Sequence, residues 1–238
     1  MGSLSLVATP IGNIEDITIR AIKTLISVDA ILCEDTRKSG ILIAEIIRKY
    51  GEVFDCNYDW KPTLISYYEE NEYKKLPEII HLLQEGKHLA LISDSGTPLI
   101  SDPGYFLVSE CIKRKIPVES IPGPSAFISA LTISGFPVDK FFFLGYPPDK
   151  ESSRRILFKK VHSIHTYMHS TFIFYCAPHK LIRTLHDLKS ECGNTSLGIM
   201  RELTKVHEEC WIGTINDAIQ KFTHPKGEFV LVVRFKDT

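Results

Sequence analysis

Residues 89–104, LALISDSGTPLISDPG, limit the choice of fold more than any other stretch. An apolar run, Leu89-Ala90-Leu91-Ile92, breaks into a dense loop of Asp, Ser, Gly, Thr and Pro, and a helical pattern follows. A chain leaves the carboxyl end of a strand in this way in open α/β sheets, and such loops hold small ligands. Glycine lets a ligand come close to the backbone, and short polar side chains add donors and acceptors. The loop contains two related segments, Ser93-Asp94-Ser95-Gly96 and Ser101-Asp102-Pro103-Gly104. These residues specify a ligand loop without naming its ligand.

The rest of the chain repeats the pattern. Residues 3–8 form an apolar strand that ends in Thr9-Pro10-Ile11-Gly12-Asn13. Asp16 or Thr18 can cap the next helix, with Ile19, Ile22, Leu25 and Ile26 on one face. Residues 29–33 read as a strand running into the charged loop 34–38, and helical signals continue to Tyr50. Residues 51–62 have no period and read as a loop. A strand at 64–67, a helix at 73–84, a C-cap at Gly86, a strand at 88–93, a helix at 104–114 and a strand at 117–121 follow. Strand alternating with helix predicts a mostly parallel sheet covered on both faces.

Beyond that point the texture changes. Strands are expected at 141–144, 171–176, 196–203, 210–213 and 228–235, and helices at 151–162, 180–190 and near 215–222. Fewer crossover helices per strand predict a mixed sheet. The reading is an α/β protein of two domains, 1–118 with a mostly parallel sheet and 119–238 with a mixed one.

Composition narrows the function. The 28 Lys+Arg against 29 Asp+Glu announce no polyanion partner globally, so a nucleic acid would need a local or dimer-assembled basic patch. The six cysteines lack a CxxC pair, which predicts free thiols in a reducing, cytosolic compartment and no structural zinc. The start resembles a strand rather than a signal peptide, and no apolar run approaches the ~20 residues of a membrane span. A soluble intracellular protein is expected.

The dinucleotide fingerprint GxGxxG and the Walker lysine are absent. Gly123-Pro124-Ser125 sits at a strand-to-helix turn, but a nucleophile elbow needs glycine where Phe127 stands. Ser125 is then a helix cap or a ligand-binding residue. His162, His165 and His169 have metal-ligand spacing on a helix, yet no carboxylate or cysteine accompanies them, so no metal site is assigned. Arg154, Arg155, Lys159 and Lys160 surround Phe158 as either a phosphate-binding face or a solvated one. Residues 201–209, RELTKVHEE, form a dense ionisable set that is a site rim or a surface hairpin.

Seven segments occur in order: VATPIGN (7–13), EDTR (34–37), SDSGTPLISDPG (93–104), IPGPSA (121–126), PHK (178–180), RELTKVHEE (201–209) and GEFVLVV (227–233). Together they resemble the bacterial ribosomal small subunit methyltransferase I family of the tetrapyrrole (Corrin/Porphyrin) methylase superfamily. Departures from the family are Ser95 in place of a more usual Ala, a longer segment at 51–62, and no C-terminal extension beyond the GEFVLVV strand. The resemblance implies 2′-O-methylation of a cytidine in the 16S rRNA decoding centre, with S-adenosyl-L-methionine as donor. It also implies a cytoplasmic homodimer of two α/β domains of the tetrapyrrole methylase type, with the cofactor cleft between them. The expected partner is 16S rRNA or the 30S subunit, with no membrane and no metal. Alternatives are a tetrapyrrole or diphthine-type methyltransferase of the same superfamily, or a non-catalytic RNA-binding module.

By that resemblance, the cofactor residues are Pro10, Ile11, Ser93, Asp94, Ser95, Gly96, Thr97, Pro98, Ile100, Ser125 and Ala126. From the second half come Tyr175, Leu203, Gly227 and Glu228. A ribose hydroxyl is a weak nucleophile at neutral pH, so a base or a polarising cation would help it. Glu34, Asp35, Arg37, Lys205 and His207 are the ionisable candidates. Arg37, Lys38, Arg154, Arg155 and Lys205 are the cations expected to meet RNA.

Overall fold

Successive side chains of the N-terminal strands alternate between two apolar layers, as a pleated strand requires, and this lets helices cover both faces of the sheet. The structure, a computed structural model, describes residues 2–54 and 62–235. It divides into two units, 1–125 and 126–238. The division lies after Ser125, a few residues past the 118/119 boundary read from sequence.

In the first unit, β1 (Ser3–Val7), β2 (Ala30–Cys33), β3 (Thr63–Ser66), β4 (His88–Leu91) and β5 (Val118–Ile121) pair in the order β3-β2-β4-β1-β5. Every pairing is parallel. Ile31, Cys33, Ala90 and Ile92 enter one layer with α1 (Ile19–Leu25) and α2 (Thr36–Tyr50). Leu32, Leu89 and Leu91 enter the other with α3 (Glu72–Gln84) and α4 (Tyr105–Lys113). The chain therefore leaves β1 toward one face and leaves the adjacent β4 toward the opposite face. A crevice opens at such a point, outside the carboxyl ends of the two strands.

Local signals explain the helix starts. The Thr18 hydroxyl accepts the Ala21 N–H at 3.1 Å, and Asp35 accepts the Arg37 N–H at 2.8 Å, so each helix has a capped first turn. Ile19, expected on the buried face of α1, is exposed, because the buried stripe is Ala21, Ile22 and Leu25. Gly86 follows α3 with a φ of +95°, the left-handed turn that a glycine takes easily. The loop read at 51–62 lies largely outside the described residues.

The second unit holds β6 (Phe141–Phe143), β7 (Thr171–Cys176), β8 (Ser196–Arg201), β9 (Glu209–Thr214) and β10 (Phe229–Arg234). Their order is β6-β7-β10-β8-β9, with β6 and β7 parallel and the other pairs antiparallel. One face carries α6 (Glu151–Tyr167), α7 (Leu181–Cys192) and α8 (Ile215–Lys221) over Phe172, Phe174, Ile199 and Leu231. The helix α5 (Ala126–Ile133) packs against β7 and β10. Two expectations need correction. The strand expected over 196–203 stops at Arg201, because Glu202 and Thr204 take φ of +51° and +64° and turn the chain. The helix expected to end at His162 runs on to Tyr167, held by burial of His165 against Phe172 and Phe235. Among the described residues no helix is long and apolar enough to cross a membrane.

Arg154 ties α6 to α7. It is buried, its Nε–H donates to Asp187 at 2.7 Å with a second guanidinium bond to the same oxygen, and Nη1 reaches the carbonyls of Pro148 and Asp149 at 3.0 and 2.9 Å. Removing one member of such a pair leaves an uncompensated buried charge. The expected effect of Arg154→Ala is a destabilisation of about 3–5 kcal/mol. Urea unfolding checks it; a midpoint equal to the parent's would show that the pair is dispensable.

Candidate functional site

At the crevice the loops after β1 and β4 are stitched together. Thr9, wholly buried, donates its N–H to the Gly96 carbonyl at 2.8 Å and accepts the Gly96 N–H at 3.1 Å. Its hydroxyl reaches the carbonyls of Ser93 and Gly96 at 3.3 and 3.4 Å. The Ser93 hydroxyl bonds back to Ser95 and Gly96 carbonyls, both at 3.2 Å, and Thr97 donates to the Pro124 carbonyl at 3.0 Å. Loops from β1, β4 and β5 are thus joined by short polar groups.

The backbone of this loop is unusual. Gly96 has a φ of +84°, and a Cβ there would come within 3.3 Å of Ile11 Cγ2. Leu99 and Ser101 take φ of +70° and +69°, a conformation that costs a non-glycine residue about 1–3 kcal/mol. Gly104 closes the loop at φ +132°, where a Cβ would lie 2.8 Å from Leu91 Cδ2. Such local strain persists where the surroundings over-determine it, and it concentrates at binding sites.

Carboxylates gather beside this loop. The Asp94 N–H points at Glu34 Oε1 at 3.4 Å, and Lys38 Nζ contacts Asp94 Oδ2 at 2.6 Å. Burial raises the Glu34 carboxyl above its ordinary range; the Asp94 N–H opposes this and the Asp94 charge adds to it. Asp102 is pushed up to about 7, first by burial and then by the charge of Glu34, with the Ser93 hydroxyl working the other way. Asp35 is held down at about 2 by the Arg37 side chain and N–H, and Arg37 Nη2 meets Asp35 Oδ2 at 2.9 Å. Asp35 and Arg37 therefore occupy each other.

The second unit has its own lock. Glu202 accepts the Glu228 N–H at 2.8 Å while its own N–H donates to the Glu228 carbonyl at 3.0 Å. Lys205 Nζ bridges Glu202 Oε1 and Glu228 Oε2 at 3.1 and 2.9 Å. Gly227 takes a φ of +94°, and a Cβ on it would lie 2.6 Å from Glu202 Cγ. Leu203 is buried under this turn, whereas His207 is exposed. Tyr175 pairs in register with Val230, two residues past Glu228, and its ring meets Phe143 edge-on at 4.9 Å.

Pro10, Ile11 and 93–100 come together at the crevice, Ser125 ends the first unit, and Ala126 begins α5. Tyr175, Leu203, Gly227 and Glu228 share one end of the second sheet. The cations read from sequence as RNA contacts all have carboxylate partners. Arg37 has Asp35, Lys38 has Asp94, Arg154 has Asp187, Arg155 has Glu191 at 2.5 Å, and Lys205 has Glu202 and Glu228. Of the histidines at metal spacing, His165 is buried and His169 falls beyond the end of α6. Thr9 and Glu202, on which both turns depend, were not singled out from sequence. Thr9 carried one signal, a small polar residue at the end of an apolar strand.

Residues 3–219 match the family of Tetrapyrrole (Corrin/Porphyrin) Methylases. The chain is 43% identical to the Ribosomal RNA small subunit methyltransferase I of Thermotoga maritima over 100% of both chains. It is 44% identical to the protein of that name from a Hydrogenobaculum species, over 99% of this chain and 96% of the other. The chain belongs to the ribosomal RNA small subunit methyltransferase I family of the tetrapyrrole methylases. The family fold extends further: a diphthine synthase structure superposes with a TM-score of 0.75, covering 99% of this chain and 90% of that one, at 11% identity. In this family member the crevice loop is the stretch 93–104 that the sequence marked first.

The raised Asp102 gives a pH signature. An unfolded aspartate titrates near 3.8, so between that pH and about 7 the folded state binds the additional proton. The stability this adds is complete below the unfolded value and is lost as pH rises through about 7. Asp102→Asn is expected to melt higher than the parent at pH 8 and to lose that advantage at pH 4. Melting curves across this range check it, and a constant difference between the two proteins would assign Asp102 an ordinary ionisation.

Proposed function

We propose that this protein transfers a methyl group from S-adenosylmethionine to the 2′-hydroxyl of a cytidine in the decoding centre of 16S rRNA, acting as a cytoplasmic homodimer. The observation that carries the reading is full-length identity of 43–44% to relatives named as small-subunit rRNA methyltransferases.

The residues at the crevice fit such a donor. A zwitterionic ligand with a neutral nucleoside can be held by backbone groups and hydroxyls, and 93–100 presents these on a loop fixed by Thr9 and Thr97. The ligand also carries a sulfonium and an ammonium, and Glu34, Asp94 and Asp102 supply negative charge that lacks full compensation nearby. When bound, the donor provides an electrophilic methyl group. Pro10, Ile11, Ser93–Ile100 and Ser125 of the first unit would hold it, and Ala126, Tyr175, Leu203, Gly227 and Glu228 are the proposed donor residues of the second.

The chain's own contribution is alignment and proton management. Among the five ionisable candidates, Asp35 and Arg37 neutralise each other, Lys205 is bound to two carboxylates, and His207 stands exposed. Glu34 differs. It is half-buried, burial raises its carboxyl above the ordinary range, and it contacts the crevice loop through the Asp94 N–H. We assign Glu34 as the general base that accepts the ribose hydroxyl proton.

Transfer of a tritiated methyl group to 30S subunits, with naked 16S rRNA and a precorrin as parallel substrates, tests the reading. Label is expected in 2′-O-methylcytidine after nuclease digestion. Its absence from all rRNA would refute the proposal, and label in the precorrin would move the enzyme to another branch of the superfamily. Glu34→Gln is expected to lower kcat about 100-fold or more, a larger factor than any accompanying change in affinity for S-adenosylhomocysteine. An unchanged kcat would place the base elsewhere.

A further inference from the structure

The cations expected to meet RNA are paired, but a local excess of positive charge is present elsewhere. It lies at one end of the second sheet. Two adjoining grooves of about 290 and 330 Å³ flank the loop 223–226, which forms a wall of both. Arg201, Lys221 and Lys226 line the first with a single carboxylate, Glu209. Glu209 is shared, with Arg201 at 3.1 Å and Lys221 at 2.8 Å, so three cations face one anion, a surplus of two. His179, His224 and Lys226 line the second groove. Among the described residues none of these three forms a salt bridge, although the Asp149 charge lies close enough to His179 to interact with it. Lys180 and Arg183, beside His179 in sequence, likewise share one carboxylate, Asp149.

The fold builds this arrangement. The turn Pro178–Lys180 follows β7, Arg201 ends β8, and the loop after α8 leads into β10. These three strands are neighbours, with Phe229 in register with both Cys176 and Arg201. Arg201 donates its Nε–H to the Lys226 carbonyl at 2.8 Å, which fixes the loop between the grooves. Pro178 and Pro225 stiffen the walls, and Phe222 and Phe229 give the first groove an apolar floor.

We propose that the paired grooves around 223–226 are a binding track for the sugar-phosphate backbone of the RNA substrate. This rests on the rRNA reading above. Two adjoining cavities under a common cationic wall suit a chain of linked phosphates, and phosphate contacts set register without reading sequence. The near-zero net charge makes the concentration significant, since a polyanion meets no general attraction and must be drawn to a local surplus. The loop also continues into Gly227 and Glu228, so RNA in the grooves lies next to the Glu202–Lys205–Glu228 turn.

The test is binding of fluorescently labelled 16S rRNA across a salt series, for the parent and for the triple variant His179→Ala, His224→Ala, Lys226→Ala. Calorimetric titration with S-adenosylhomocysteine and a melting curve on the same samples verify the fold. The variant is expected to bind RNA about tenfold more weakly at low salt, with a salt slope shallower by about 0.7–0.9 for each phosphate it no longer neutralises. Its S-adenosylhomocysteine affinity is expected to be unchanged. Equal affinity and equal slope in a folded variant would overturn the track, as would a parent that binds no RNA. A parent that binds RNA through these residues yet transfers no methyl group would leave the track standing and remove the proposed reaction. Should the triple variant melt early, Lys226→Glu alone, at an exposed side chain, gives the same reading.

Discussion

Two backbone hydrogen bonds between Thr9 and Gly96 hold the N-terminal site together. They join the ends of adjacent strands whose chains depart toward opposite faces, where a parallel sheet would otherwise leave unpaired peptide groups. A buried peptide group without a partner costs about 1–3 kcal/mol, more than a made bond contributes, so the paired arrangement is favoured energetically. Once it forms, Gly96 must adopt its positive φ, and Ser93 and Thr97 lock the flanking turns through their hydroxyls. These bonds fix the loop's turns without a ligand, and a loop already fixed has less ordering cost to meet on binding.

The second unit solves a similar problem with charge. Glu202 takes the place of a backbone partner for the Gly227–Glu228 turn, and Lys205 balances the two carboxylates that meet there. Burial works against the Lys205 charge, but its bonds to Glu228 and Glu202 prevail and raise its pKa. The same economy recurs at Arg154–Asp187 and Arg155–Glu191, where helix α6 is fastened to α7. Cations used in this way organise loops and helices. What is left over concentrates around 223–226, where three cations and one carboxylate line a groove.

The sequence made the sheets legible because their signals are local. Short apolar runs placed the N-terminal strands, and Gly, Pro and Ser clusters marked the loops that ring the crevice. Charge partners were not legible, since Lys38 meets Asp94 and Lys205 meets Glu228 only after folding. For that reason Arg154 read as a surface cation although it is buried. The end of β8 was not legible, because Glu202 turns the chain with a positive φ and its carboxylate accepts the distant Glu228 N–H, which no propensity encodes. The helix α6 was cut short because the stretch around His165 is hydrophilic, while its burial depends on Phe172 and Phe235 from other elements.

The central claim is that the stitched loop 93–100 is the cradle of the methyl donor. A crystal structure with S-adenosylhomocysteine tests it most directly. The account predicts ligand density against the backbone of 93–100 and beside Pro10 and Ile11, with both Thr9–Gly96 hydrogen bonds intact. Ligand bound away from this loop, or bound there with the Thr9–Gly96 pair broken, would contradict it.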